Sequence, residues 1–87
     1  MEVIVSQDNK KIKNLSKLLI KKYRDSEGMF LVNGQHLVEE AYKKGILVEV
    51  IKTEDCDLNF DVATTYVSYD ILKKLTNVET PQRIVGL

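Results

Sequence analysis

The sequence has few of the residues that mark disulfide frameworks, flexible linkers and membrane spans. Its 87 residues include one cysteine, one proline, four glycines and no tryptophan. Cys56 has no second cysteine to pair with, which excludes an intrachain disulfide and favours a reducing compartment. No apolar run approaches the roughly 20 residues of a membrane span, and the N-terminus lacks the regions of a signal peptide. We therefore expect a single cytoplasmic domain with no membrane contact.

Motifs of common catalytic and cofactor sites are also missing. The chain contains neither the G-x-G-x-x-G turn of dinucleotide-binding domains nor the phosphate-binding loop G-x-x-x-x-G-K-[ST]. His36 and Cys56 are far apart in sequence, and no spacing of His, Cys and Asp indicates a metal site. The acidic run Glu54–Asp57 lacks the alternating pattern of a calcium loop. We predict no catalytic residue and no metal ligand in this chain.

Opposite charges are separated along the chain. The total is neutral, with thirteen basic and thirteen acidic residues, which taken alone argues against a nucleic-acid partner. Residues 1–24 hold seven basic and two acidic residues, a net +5, whereas residues 25–87 hold six and eleven, a net −5. Such asymmetry indicates a charged partner at one end of the chain.

Helical and strand-like patterns alternate. The strands are continuous apolar runs, which is typical of strands covered by helices on both faces. This order predicts an α/β layered domain with a parallel or mixed sheet. The predicted elements are a helix over 9–24, a strand over 29–32, a helix over 35–44, a strand over 46–52, an acidic loop over 53–61, a strand over 62–67, a helix over 69–76 capped by Ser68, a turn over 76–82 and a strand over 83–87.

The predicted helix over 9–24 is basic on the face opposite its apolar stripe. Like charges three and four residues apart weaken an isolated helix, and RNA or DNA phosphates would supply the missing counter-charge. Nucleic-acid binding is the favoured interpretation; an ordinary solvated face, an acidic protein and a membrane surface are the alternatives. Tyr23 could stack on a base, but its place on the stripe favours core packing. The stripe consists of Ile12, Leu15, Leu19 and Tyr23, and the basic face of Lys10, Lys13, Lys17, Lys21 and Arg24.

His36 begins the second predicted helix, directly after Asn33, Gly34 and Gln35. A surface histidine without a ligand is the simpler interpretation. The alternative is a corner beside the ligand surface, since ligands of open α/β folds favour the carboxyl ends of strands. Backbone amides at a helix N-terminus can also meet a phosphate.

Several segments, taken in order, resemble one known family. They are Asn9…Ile12-Lys13…Leu15, then Leu18…Lys22…Arg24, the run GMFLVNGQHLVEEA over residues 28–41, and Thr80-Pro81-Gln82 before an apolar strand. The pattern resembles the N-terminal substrate-binding domain of the SpoU (TrmH) family of RNA ribose 2′-O-methyltransferases and covers nearly the whole chain. It implies a three-layer α/β/α sandwich with a mixed, mostly parallel sheet, similar to small ribosomal proteins that bind kinked RNA. It also implies that the domain captures RNA, most commonly ribosomal RNA.

The chain departs from the family pattern in three places. Asn33 stands where the family usually has Glu, so no role of that carboxylate carries over. Arg83 follows Gln82 where the family usually has Gly. The chain ends at Leu87, where the family continues into a knotted catalytic domain that binds S-adenosylmethionine and forms the dimer. We therefore expect a fragment that is monomeric and inactive alone, from an enzyme that dimerises through the missing domain.

The sequence-based hypothesis is an RNA-binding domain that presents RNA to a separate methyltransferase domain. A stand-alone RNA-binding protein of ribosomal-protein-like fold is the alternative, and a module that meets an acidic protein is a third possibility. No cofactor is expected in this domain. The predicted RNA-binding residues are Lys10, Lys13, Lys17, Lys21, Lys22, Arg24, Asn33, Gly34, His36, Gln82 and Arg83.

Overall fold

The computed structural model describes residues 3–76 and 84–86. These residues form five strands and four α-helices, with a short 3₁₀ turn at Lys17–Leu19. The elements are β1 (Val3–Ile4), α1 (Lys10–Ser16), α2 (Lys21–Glu27), β2 (Val32–Asn33), α3 (Gln35–Lys43), β3 (Glu49–Lys52), β4 (Ala63–Val67), α4 (Tyr69–Thr76) and β5 (Ile84–Gly86).

The strands form one mixed sheet in the order β1-β4-β3-β5-β2. β3 lies at its centre, parallel to β4 and antiparallel to β5. β1 extends the sheet parallel to β4, and β2 closes the other edge antiparallel to β5. Within the described residues, therefore, β5 alone runs against the other strands. The predicted mixed, mostly parallel sheet is confirmed.

Adjacent residues of β3 serve two separate cores, one on each face of the sheet. Ile51 is fully buried against α1, the 3₁₀ turn and α4, in a cluster that includes Ile12 and Leu72. Val50 points to the opposite face, where it packs with Val38 of α3 and with Leu47. Because successive side chains of a strand alternate between faces, this central strand holds helices on both sides. The predicted three-layer α/β/α sandwich is confirmed.

The helices α3 and α4 form where their sequences indicate. Ser68 caps α4, since its Oγ accepts a hydrogen bond from the backbone amide of Ile71 at 3.4 Å. Gly45, which follows α3, has a φ of +72° that suits the glycine after a helix end. The helices predicted over 35–44 and 69–76 are therefore confirmed. The loop predicted over 53–61 is also confirmed, because no helix or strand interrupts that described segment.

The single helix predicted over 9–24 is wrong. Ile20 adopts an extended conformation, with φ −106° and ψ 126°, between the 3₁₀ turn and α2. Side chains three apart eclipse in a 3₁₀ turn, so Leu18 follows Leu15 into the core and Leu19 is left 40% exposed. Because of this break, Leu18 is the buried core residue in place of the predicted Leu19. The break also divides the basic face between two helices.

Strand boundaries were also predicted imperfectly. In the predicted strand over 29–32 only Val32 is in a strand, and Phe30 is 54% exposed. The strand predicted from residue 46 begins at Glu49. β1 was missed because two residues are too few to show a period. The turn predicted over 76–82 lies outside the described residues except for Thr76.

Candidate nucleic-acid interface

Asn9 sets the direction in which the lysines of α1 point. Its side-chain Oδ1 accepts hydrogen bonds from the backbone amides of Lys11 and Ile12, at 2.9 and 3.4 Å, which satisfies the first free amides of the helix. With the start fixed, Ile12 and Leu15 face the sheet and are buried. Lys10 and Lys13 of α1 are exposed to solvent.

Two of the predicted RNA-binding cations have partners within the protein. The guanidinium Nη1 of half-buried Arg24 donates to the carbonyl oxygen of Leu18 at 3.0 Å, which holds α2 against the 3₁₀ turn. Lys21 pairs with Asp25 one turn later, at 2.8 Å between exposed side chains, a contact that contributes only a few tenths of a kcal/mol. Among the described residues, no carboxylate lies within ion-pairing distance of Lys10, Lys13, Lys17 or Lys22.

Lys11, a basic residue outside the predicted set, forms the ion pair that ties α1 to the sheet. Its Nζ lies 2.9 Å from Oε2 and 3.2 Å from Oε1 of Glu49. Glu49 shares the Ile51 face of β3, is 8% exposed and also accepts a hydrogen bond from the Thr65 hydroxyl. The pair therefore neutralises a buried carboxylate beneath the basic helix.

Replacing Lys11 with methionine should lower the free energy of unfolding by about 1–2 kcal/mol, because the buried Glu49 carboxylate loses its cation. The matched change Lys10→Met should alter it by less than about 0.5 kcal/mol. Urea unfolding followed by circular dichroism measures both. Equal effects of the two substitutions would contradict the structural role of Lys11.

A cleft of about 570 Å³ opens between α1 and α2. Leu15, Leu18 and Met29 supply its apolar lining. Lysines of α1 and the 3₁₀ turn, together with Tyr23 of α2, line its polar parts. Tyr23 is half-buried and belongs to neither described core cluster. The sequence-based preference for core packing of Tyr23 was therefore wrong.

Two lysines converge on the Tyr23 ring. The Nζ atoms of Lys17 and Lys22 lie 5.8 and 5.7 Å from its centroid, within the range of cation–π attraction. These lysines come from different elements on either side of the break at Ile20. The break in the helix therefore brings Lys17 and Lys22 to the same aromatic ring, whereas a continuous helix would place them apart along its surface.

A second cleft, of about 410 Å³, connects part of the basic region with the predicted Asn33 corner. Arg24 and Asn33 both line it, together with Met29, Phe30 and Thr76. The structure thus brings Asn33 near the α2 side of the basic region, and its role in RNA binding stays a prediction.

The remaining predicted site residues are not gathered at either cleft. Gly34 is buried with a φ of +91° and precedes α3, while His36 is exposed on α3 and lines neither cleft. The simpler interpretation of His36, a surface residue, agrees with this position. Gln82 and Arg83 lie outside the described residues.

Only Lys10 and Lys17 of the cleft residues were in the predicted set, and the residues outside it include Asn14, Glu27, Met29 and Glu49 as well as Lys11. Glu49 carried a signal, since it is the one acid within the apolar strand run ILVEVIK. Such a charge in a strand covered on both faces requires a partner. Met29 was predicted as the first residue of a buried strand, and Asn14 and Glu27 have no pattern that distinguishes them.

The fold and the cleft define a class of protein: an α/β/α domain with a lysine-rich, aromatic-lined cleft on one face of its sheet. Its described helices include none long and apolar enough to cross a membrane. The chain belongs to the family of MRM3-like substrate binding domains, whose model matches residues 9–86.

Its relatives are methyltransferases that act on RNA. The 23S rRNA (guanosine(2553)-2′-O)-methyltransferase RlmP of Bacillus subtilis is 37% identical over 92 aligned positions, which span all of this chain and 37% of that protein. The crystal structure of an RNA 2′-O ribose methyltransferase matches 98% of this chain and 36% of its own, with a TM-score of 0.86 and 32% identity. An AdoMet-bound rRNA methyltransferase from Sinorhizobium meliloti shares the fold, with a TM-score of 0.80 at 22% identity. The resemblance to the SpoU substrate-binding domain is confirmed, and this chain spans slightly more than a third of each relative.

Proposed function

We propose that this chain binds ribosomal RNA and presents it to a separate domain that methylates a ribose 2′-oxygen. The observation that carries the proposal is the group of four lysines without described carboxylate partners on α1, the 3₁₀ turn and α2, in a domain of the substrate-binding family. Two of them, Lys10 and Lys17, line the α1–α2 cleft. Phosphates are the counter-charge that such a group lacks. The similarity to RlmP, whose name specifies 23S rRNA, supports ribosomal RNA as the substrate.

The methyl-transfer step is assigned to the other domain of the parent enzyme. S-adenosylmethionine carries a positively charged sulfonium, whereas the α1–α2 cleft has an excess of cations, with Lys10, Lys11 and Lys17 against Glu27 and Glu49. We therefore infer that this cleft does not hold that cofactor and that the transfer takes place in the other domain. We place the cofactor and the dimer contact in the catalytic domain, the isolated chain as a monomer, and the parent enzyme in the cytoplasm.

A stand-alone role as a ribosomal-protein-like RNA-binding protein is not favoured. The relatives are methyltransferases nearly three times as long as this chain.

Sedimentation of the isolated chain tests the proposed monomer, and a dimer at micromolar concentration would place part of the dimer contact in this domain.

RNA binding should weaken with salt in proportion to the number of phosphates contacted. If four lysines contact four phosphates, the logarithm of the association constant should fall with the logarithm of salt with a slope of about −3 to −4. Fluorescence anisotropy with labelled fragments of 23S rRNA measures this slope. Polyglutamate of similar charge serves as the competitor that represents an acidic protein.

Absence of RNA binding at low salt would overturn the proposed RNA-binding function. Displacement of the RNA by polyglutamate at charge-equivalent concentration would instead favour an acidic protein as the partner.

A further inference from the structure

The Tyr23 ring lies where the basic residues and the apolar floor of the α1–α2 cleft meet. Leu18 and Met29 line the same cleft, and the ammonium groups of Lys17 and Lys22 lie within 6 Å of the ring centroid. An aromatic side chain between an apolar floor and several cations is the combination that proteins use to hold an unpaired base and its phosphates.

Only the weak cation–π attraction of exposed lysines holds these two side chains at one ring. Their positive charges repel each other, and no described carboxylate pairs with either one. Lysine is a flexible point charge on a four-carbon stem, so both ammonium groups can leave the ring when phosphates approach. The ring face would then become available to a stacked base.

We propose that this cleft binds one unpaired nucleotide of the substrate RNA, with its base stacked on Tyr23 and its flanking phosphates held by Lys17 and Lys22. The proposal rests on the proposed function and adds that the domain recognises an unstacked nucleotide and not only a charged backbone. A cleft of about 570 Å³ is within the ordinary range of small-molecule sites.

Two polar residues of the cleft provide contacts for the edge of the base. Glu27 at the end of α2 and Asn14 of α1 both line it. A carboxylate accepts hydrogen bonds from an exocyclic amino group, which adenine, cytosine and guanine carry and uracil lacks. The cleft should therefore prefer an amino-bearing base to uracil.

The test uses a short RNA hairpin with 2-aminopurine in its loop and a fully paired duplex of similar length. Wild-type protein and Tyr23→Phe should quench the 2-aminopurine fluorescence, because both keep the ring. Tyr23→Leu should lose the quenching and bind the hairpin about tenfold more weakly, with duplex binding unchanged. Tyr42→Leu, a matched change of a tyrosine on α3, should leave both RNAs unaffected.

Intermolecular NMR contacts between loop-base protons and the Tyr23 ring of the wild-type protein provide a second measurement that does not depend on the folding of any variant. Their absence would overturn the proposal. Equal loss of hairpin and duplex binding in Tyr23→Leu would also overturn it, while leaving the proposed RNA-binding function intact. If wild-type protein bound neither RNA at low salt, both proposals would fail.

Discussion

Changing Lys10 and Lys17 together to glutamate should weaken RNA binding by about 100-fold or more. Each substitution removes a charge-assisted contact, which contributes about 1.5–3 kcal/mol, and places an anion beside the phosphate that the lysine contacted. Both residues line the α1–α2 cleft and have no described carboxylate partner. The salt slope should fall as well, by about two units. Anisotropy titrations over a series of salt concentrations measure both quantities.

The matched control changes Lys43 and Lys44 to glutamate. The net charge shifts by the same amount, but these exposed residues lie at the end of α3, on the opposite face of the sheet. RNA affinity should then fall only slightly, through the overall field of the protein. Similar losses in the two double variants would show that RNA responds to total charge, and the α1–α2 surface would lose its assignment as the binding site.

The conformation at Ile20 separates what the sequence could predict from what it could not. The positions of lysines and apolar residues over 9–24 indicated a basic helix, and α1 begins at Lys10 as that pattern requires. The break depends on Leu18 reaching the core and on the Arg24 guanidinium reaching the Leu18 carbonyl. Those contacts exist only after the helices pack on the sheet, so local periodicity does not contain them.

The candidate site shows the same division. The presence of a basic segment was predictable from charge alone, because residues 1–24 carry an excess of +5. Which of its cations have partners within the protein was not, since Lys11 is bound to Glu49, 38 positions later, and Arg24 donates to the carbonyl of Leu18. Charge counting does not detect such contacts, because they form only when the chain folds.

Lys52 is a further case in which the partner decides the role. This β3 lysine is 3% exposed, and its Nζ donates to the carbonyl of Leu58 and, at 3.1 Å, to Oδ1 of Asn59. A lysine directly after Ile51 at the end of a strand is typically exposed to solvent. In this structure Lys52 instead holds the loop over 53–61 by these hydrogen bonds, and Leu58 and Phe60 of that loop pack on the α3 side of the sheet.

Ile51→Ala should remove a large share of the total stability. Ile51 is fully buried at the centre of the sheet and packs in one cluster with Ile12, Leu15 and Leu72. Truncation of a buried isoleucine to alanine costs about 2–5 kcal/mol through lost burial and the cavity left behind. A domain of 87 residues has a total stability of about 4–13 kcal/mol at ordinary per-residue values. Urea unfolding should therefore show a much lower midpoint and a measurable unfolded population in water.

Ile46→Ala is the matched control, because Ile46 is 59% exposed just before β3 and its truncation should change stability by less than about 0.5 kcal/mol. Equal losses in the two variants would show that β3 does not hold the main core. The Ile51 cluster also packs against α1 and the 3₁₀ turn, which carry the cleft residues Lys10 and Lys17. Ile51→Ala should therefore reduce RNA binding only in proportion to the unfolded fraction, and saturating RNA should restore part of the lost stability.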